Sequence, residues 1–103
     1  MRILKVKKIE NLLEKSMGLL YKKTPEHIFF TTRFGIHTFG MKFPIDILIL
    51  DDKNKIVYIK EFMKPNRIFF WNPKYNKVIE LPSGNIDREK IRIYERIHLE
   101  YTK

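Results

Sequence analysis

Apolar residues at Ile9, Leu12, Leu13, Leu19 and Leu20 recur at helical spacing, with Ser16 on the same face, which predicts a helix over residues 9–21. Glu10 and Glu14 precede Lys15, Lys22 and Lys23, a charge order that suits the helix dipole. Gly18 loosens the last turn and Pro25 forbids continuation. From residue 27 the pattern changes to short aromatic and β-branched runs punctuated by turn residues, which predicts strands. The runs are 27–32, a short extended piece at 36–39 between Gly35 and Gly40, 46–50, 56–62, 67–71, 77–81 and 95–101. Within 46–50, residues 47–50 are apolar at successive positions, as in a central strand covered on both faces. Asp51-Asp52-Lys53-Asn54-Lys55 reads as the turn that sends residues 56–62 back antiparallel. Asn72-Pro73 and Pro82-Ser83-Gly84 close two further strands, and residues 86–90 suit one helical turn with Asp87 in it. Residues 95–101 alternate Ile97, Leu99 and Tyr101 with polar neighbours, a half-exposed closing strand. The expected fold is α+β: a mostly antiparallel, strongly curled or barrel-like sheet of six or seven short strands, one N-terminal helix and a short C-terminal helical turn.

Composition narrows the chemistry. At 103 residues the chain suits a single domain over 1–103. With no cysteine, disulfides, zinc–thiolate sites, thiol nucleophiles and Cys-ligated clusters are excluded together. The net charge of +9 invites an anionic partner, but the basic excess sits at the two ends, in 1–23 and 67–103, and the middle is nearly neutral. There is also no Ala or Gln, and Lys and Ile are frequent, a thermophile-like bias that gives the charge a plainer origin. No apolar h-region follows Met1, and the longest uncharged apolar run, 47–50, is too short for a membrane span. A cytoplasmic protein with no membrane association is expected, as a monomer or a weak homodimer through an exposed edge such as 95–101.

The central stretch Gly35-Ile36-His37-Thr38-Phe39-Gly40-Met41-Lys42-Phe43-Pro44-Ile45-Asp46-Ile47-Leu48-Ile49-Leu50-Asp51 resembles the signature of an uncharacterised family, the domain of unknown function numbered 192. Met17-Gly18-Leu19-Leu20 is similar to that family's Gly-Leu-Met element, and Val78-Ile79-Glu80-Leu81-Pro82-Ser83-Gly84 to its Val-Leu-Glu-Leu-Pro-Ala-Gly element, in the same order. The resemblance implies a compact, mostly β domain with a small helical part and brings no established activity. Two departures stand out. Ser16 and Met17 occupy the place where an Arg is frequent, and Ile91-Arg92-Ile93-Tyr94 replaces a Gly-Asp turn.

His37, Thr38, Met41 and Asp46 form the most pointed polar group, and Glu80 with Ser83-Gly84 a second one. A His beside an Asp can act as an oriented acid/base, and a turn amide near Gly84 can hold an anion. The plainer alternative has Asp46 capping a backbone turn and Gly84 making a tight strand-to-helix turn. Lys64, Arg67, Trp71 and Tyr75 interleave cations with rings, as in surfaces that stack single-stranded nucleic acid; the plainer alternative is an aromatic core strand with solvated lysines. His27, His37 and His98 lack metal-site spacing, so neither a metal nor another cofactor is expected. The reading is a non-catalytic binding module with a cleft for a small molecule or partner peptide. The first alternative is a basic single-stranded nucleic-acid binder, and the second a small hydrolase using His37 and Asp46.

Overall fold

Burial alternates from the start of the chain: Leu4 and Val6 are buried while Ile3 and Lys5 face solvent, the period-two pattern of a strand with one covered face. The computed structural model of the chain describes residues 2–9, 27–33 and 35–102. Among them run eight strands, β1 (Arg2–Lys8), β2 (Ile28–Thr31), β3 (Ile36–His37), β4 (Ile45–Leu50), β5 (Ile56–Met63), β6 (Ile68–Phe69), β7 (Lys77–Pro82) and β8 (Ile97–Thr102). One short helix, α1 (Asn85–Arg88), follows β7.

Six strands make one mixed sheet in the order β5-β4-β7-β2-β1-β8, and β3 with β6 makes a separate ribbon. β4 is antiparallel to β5 and β7, and β7 to β2. β1 runs parallel to β2 and to β8. All six residues of β4 are buried, because this strand feeds both faces of the sheet. Leu48 and Leu50 join Leu4, Val6, Ile79, Leu81 and the helix residue Ile86 on one face. Ile45, Ile47 and Ile49 join Ile28, Phe30, Val78, Met41 and the ribbon residue Ile36 on the other. Burying each such Ile or Leu side chain is favourable by roughly 1.5–3 kcal/mol, so β4 is the central apolar contributor to both cores.

The expected α+β, barrel-like class is corrected by these pairings. The described residues are predominantly strand, their one helix spans four residues, and the large sheet is open, with β5 and β8 as its edges. No helix is seen where one was expected near the N-terminus: Ile9 continues β1, its N–H bonding to the Phe29 carbonyl, and residues 10–21 lie outside the described residues. β1 went unread because its partners are β2 and, from the far end of the chain, β8; pairing of that range leaves no local signature. Among the described residues no helix is long and apolar enough to cross a membrane.

The two chain ends are also joined by charge. Arg2 Nε donates to Glu95 Oε1, and the Arg92 N–H donates to Glu95 Oε2 at 3.0 Å. Partial burial pushes the Glu95 carboxyl up, but these two donors outweigh it and hold it below the usual glutamate range. A carboxylate lowered on folding stabilises above its unfolded-state value, ~4.3 for Glu, and loses that contribution as pH falls through the lower folded-state value. Glu95→Gln is expected to cost about 1 kcal/mol at pH 7, as for a charge-assisted, partly exposed pair. The gap to the parent in urea unfolding should close as the pH falls below 4. A gap that is the same at pH 7 and pH 3 would contradict the assignment.

Candidate functional site

A carboxylate within an apolar strand must be paired or hydrogen-bonded. Asp46 is fully buried in β4, and its side chain lies on the α1 side of the sheet, opposite Leu81 in register. Its Oδ1 accepts the Phe62 N–H at 3.0 Å. Its Oδ2 accepts the N–H groups of Gly84 and Ile86, each at 3.0 Å. The Gly84 and Ile86 amides lie at the start of α1, so a carboxylate three strands earlier in sequence serves as that turn's cap. Gly84 stands at φ 92, where an L side chain is strained.

The Phe62 bond deforms β5. Ile45 pairs with Met63 and Ile47 with Lys60, so one residue of β4, Asp46, faces two of β5, Glu61 and Phe62, a β-bulge. Phe62 takes φ 53 there, a left-handed conformation that is a genuine outlier for a bulky residue. Instead of entering the sheet ladder its N–H turns to Asp46, and its ring stands 55% exposed.

Thr38 organises the adjoining loops. It is fully buried; its Oγ1 donates to the Lys64 carbonyl at 2.7 Å and accepts the Arg67 N–H at 2.9 Å. Its carbonyl accepts the Asn66 and Met41 N–H groups at 2.9 and 3.1 Å. Asn66 Oδ1 accepts the Gly40 N–H at 3.2 Å. These bonds fix the segment between β5 and β6 against the segment between β3 and β4. Gly35 allows the ribbon to close: at φ +90 a Cβ there would lie 2.7 Å from the Phe69 carbonyl oxygen.

Between the bulge and the ribbon lies an open depression of about 290 Å³, lined by Lys60, Phe62, Met63, Lys64, Arg67 and Ile68. Among the described residues, three cations, two exposed apolar side chains and no acid face it. Ile68 is the direct cross-strand partner of His37, so those two side chains share the ribbon's outer face. His37 in turn stacks on Phe39 with centroids 5.0 Å apart and an interplanar angle of 25°.

The residues singled out from the sequence are thus divided. Asp46 and Glu80 are both buried but on opposite faces of the sheet: Glu80 pairs with Ile28 and Ile47, in register with the second core. Met41 is a buried member of that second core. Gly84 has its amide on Asp46, so the anion held at that turn is internal. His37 is exposed, with its Nδ1 accepting the Phe39 N–H at 3.3 Å, and no hydrogen bond joins it to Asp46. Trp71 and Tyr75 are half-buried against the second core, with the indole N–H on the Tyr75 carbonyl at 2.7 Å. Lys64 and Arg67 line the depression. Thr38, grouped with His37, Met41 and Asp46 from the sequence, is buried beneath the loops and not in a cleft with them. The sequence reading gave no role to Phe62; the signal within reach was Asp46 itself, whose burial in a strand demands N–H partners from a distorted neighbour. Among the described residues no group of three His, Cys, Asp or Glu side chains could hold a metal ion.

Fold and site define a small, predominantly β protein on an open six-stranded mixed sheet, without an assembled acid–base pair among the candidates. The chain belongs to the DUF192 family, described as "Uncharacterized ACR", whose model matches residues 2–99. Two of the three stretches that carry the resemblance meet at Asp46, whose carboxylate binds the amides of Gly84 and Ile86; the third, 17–20, lies outside the described residues. No curated protein matches the chain. In fold it is similar to a protein of unknown function from Novosphingobium aromaticivorans DSM 12444, with a TM-score of 0.70 and 16% identity over 84% of this chain and 67% of that one. It is also similar to a protein from Sinorhizobium meliloti 1021 described as a "putative transcription regulator", with a TM-score of 0.73 and 18% identity over 88% of this chain and 78% of that one.

Asp46→Asn keeps the shape but turns an amide NH₂ toward at least one N–H donor, at about 1–3 kcal/mol for each donor left without an acceptor. A lower Tm and faster hydrogen exchange at the Phe62, Gly84 or Ile86 amide are expected. Phe62→Gly, which relaxes the left-handed backbone, should leave Tm within a few degrees of the parent. An unchanged Tm for Asp46→Asn would contradict the role given to the carboxylate.

Proposed function

We propose that the protein is a non-catalytic binding module whose ligand seats in the depression at Lys60, Phe62, Lys64, Arg67 and Ile68. The ligand is an anion that also carries a ring or apolar group, as a small molecule or a partner segment. The observation that carries this reading is Phe62: a buried carboxylate holds its backbone at φ 53, with the ring exposed beside three cations. Backbone strain of this kind costs on the order of 1–3 kcal/mol and concentrates at ligand sites. Anchoring also pre-organises the ring, which lowers the ordering cost of binding. His37 borders the site through Ile68, while Asp46 supports it from beneath without reaching the ligand.

The anionic ring compound 8-anilinonaphthalene-1-sulfonate is a suitable first probe, read by ¹⁵N chemical shifts. The largest shifts are expected at Lys60, Phe62, Met63, Lys64, Arg67 and Ile68. The double substitution Lys64→Glu with Arg67→Glu should weaken binding at least tenfold. Shifts centred on another exposed apolar site, such as Ile93 and Tyr94, would overturn the assignment.

A further inference from the structure

We infer that the ligand of this face is a single-stranded nucleic acid, with phosphates on Lys60, Lys64 and Arg67 and bases stacked on Phe62 and on the His37–Phe39 pair. The inference rests on the binding reading above and gives it a ligand class.

Charge complementarity comes first. The depression presents three cations and no acid, and Asp46 is fully buried on three backbone N–H groups and does not line it. Glu61 of β5 is exposed but does not line the depression. The cations are held in two ways: Lys60 lies on β5, while the Lys64 and Arg67 backbones are hydrogen-bonded to the buried Thr38. Fixed cations around an open surface suit successive phosphates of a chain.

The rings select the form of the anion. Phe62 is 55% exposed and Phe39 48% exposed. The near-parallel stack of Phe39 on His37 makes a two-ring platform, joined to the depression through the His37–Ile68 cross-strand pair. Flat, solvent-facing rings alternating with cations are the arrangement on which unpaired bases stack, since every base offers a π-face. In a duplex those faces are occupied by neighbouring base pairs. At about 290 Å³ and open to solvent, the depression lies below the usual range of pockets that enclose a whole small molecule. A flexible strand laid across the surface therefore fits better than an engulfed compound.

Fluorescence anisotropy with labelled dT12 and U12, against a 12-base-pair duplex and a poly-glutamate peptide of equal charge, tests the inference. Either single strand should bind at least tenfold more tightly than the duplex or the peptide. Log affinity should fall linearly with log salt, and Lys64→Glu with Arg67→Glu should flatten that slope by about 1.4, the value for two lost phosphate contacts at ~0.7 each. Phe62→Gly, whose backbone conformation glycine adopts without strain, should weaken binding at least fivefold and leave the slope unchanged. Equal affinity for duplex, peptide and single strand, or full affinity of Phe62→Gly, would show attraction by charge alone and overturn the inference. If 8-anilinonaphthalene-1-sulfonate binds at this face and neither strand does, the nucleic-acid inference falls and the binding reading stands. If neither the dye nor a strand binds, both fall.

Discussion

One buried carboxylate holds together three parts of this fold that are distant in sequence. Asp46 sits in the best-buried strand, and its two oxygens accept N–H groups from β5 and from the turn that starts α1. An ionised group there is tolerable only because those donors replace water. Their replacement of solvent is also what shapes the chain. To deliver its N–H, β5 takes on an extra residue and a left-handed Phe62. To deliver two more, the chain after β7 turns through Gly84 at φ 92. The carboxylate is therefore a cause of local backbone form on both sides of β4 and does not merely fill a gap in the core.

Around that anchor the sheet is completed by its most remote partners. β1 and β8, from opposite ends of the chain, pair in parallel over six registered positions, and the Arg2–Glu95 pair sits at the same junction. Pairing of such sequence separation forms late and slowly, whereas the antiparallel hairpin β4–β5 needs only the turn at residues 51–55. Asp51 Oδ1 accepts the Lys53 and Lys55 N–H groups there, each at 2.9 Å. The hairpin thus belongs to the local part of the fold and the exposed edge β8 to its long-range part, while the Asp46 anchor ties the hairpin to residues 84 and 86 further along the chain.

This division explains what could be read from the residues alone. The strands with local signals, such as the unbroken apolar run at 47–50 and the Asp-rich turn after it, were legible because period and turn chemistry are local properties. β1 was not, since four apolar or basic alternations among lysines carry weight only once β8 lies beside them. The open sheet was misjudged for the same reason: whether edges meet is decided by pairing order, which hydropathy does not encode. At the site, the importance of Asp46 was visible in its apolar setting, and the plainer reading of it as a turn cap describes what its carboxylate does. Its separation from Glu80 was not visible, because the side of a strand on which a residue falls depends on register. The rings were ranked by local spacing. Trp71 and Tyr75 stood out beside their lysines, yet the second core takes one face of each, while Phe62 was passed over as an ordinary strand residue.

The position of the charge gains meaning in the same way. The overall +9 is spread along a lysine-rich chain and has little bearing on any one ligand. Three of those cations, however, border a depression without an acid, and two of them have backbones tied to a fully buried Thr38. A lysine on a free loop attracts anions over the whole surface and orders none of them. Where the backbones that carry the cations and the ring are held by buried hydrogen bonds, only side-chain freedom is left to lose when an anion arrives, which lowers the ordering cost of binding. The two buried polar residues, Asp46 beneath Phe62 and Thr38 beneath Lys64 and Arg67, thereby convert a weak general attraction into a surface of defined shape.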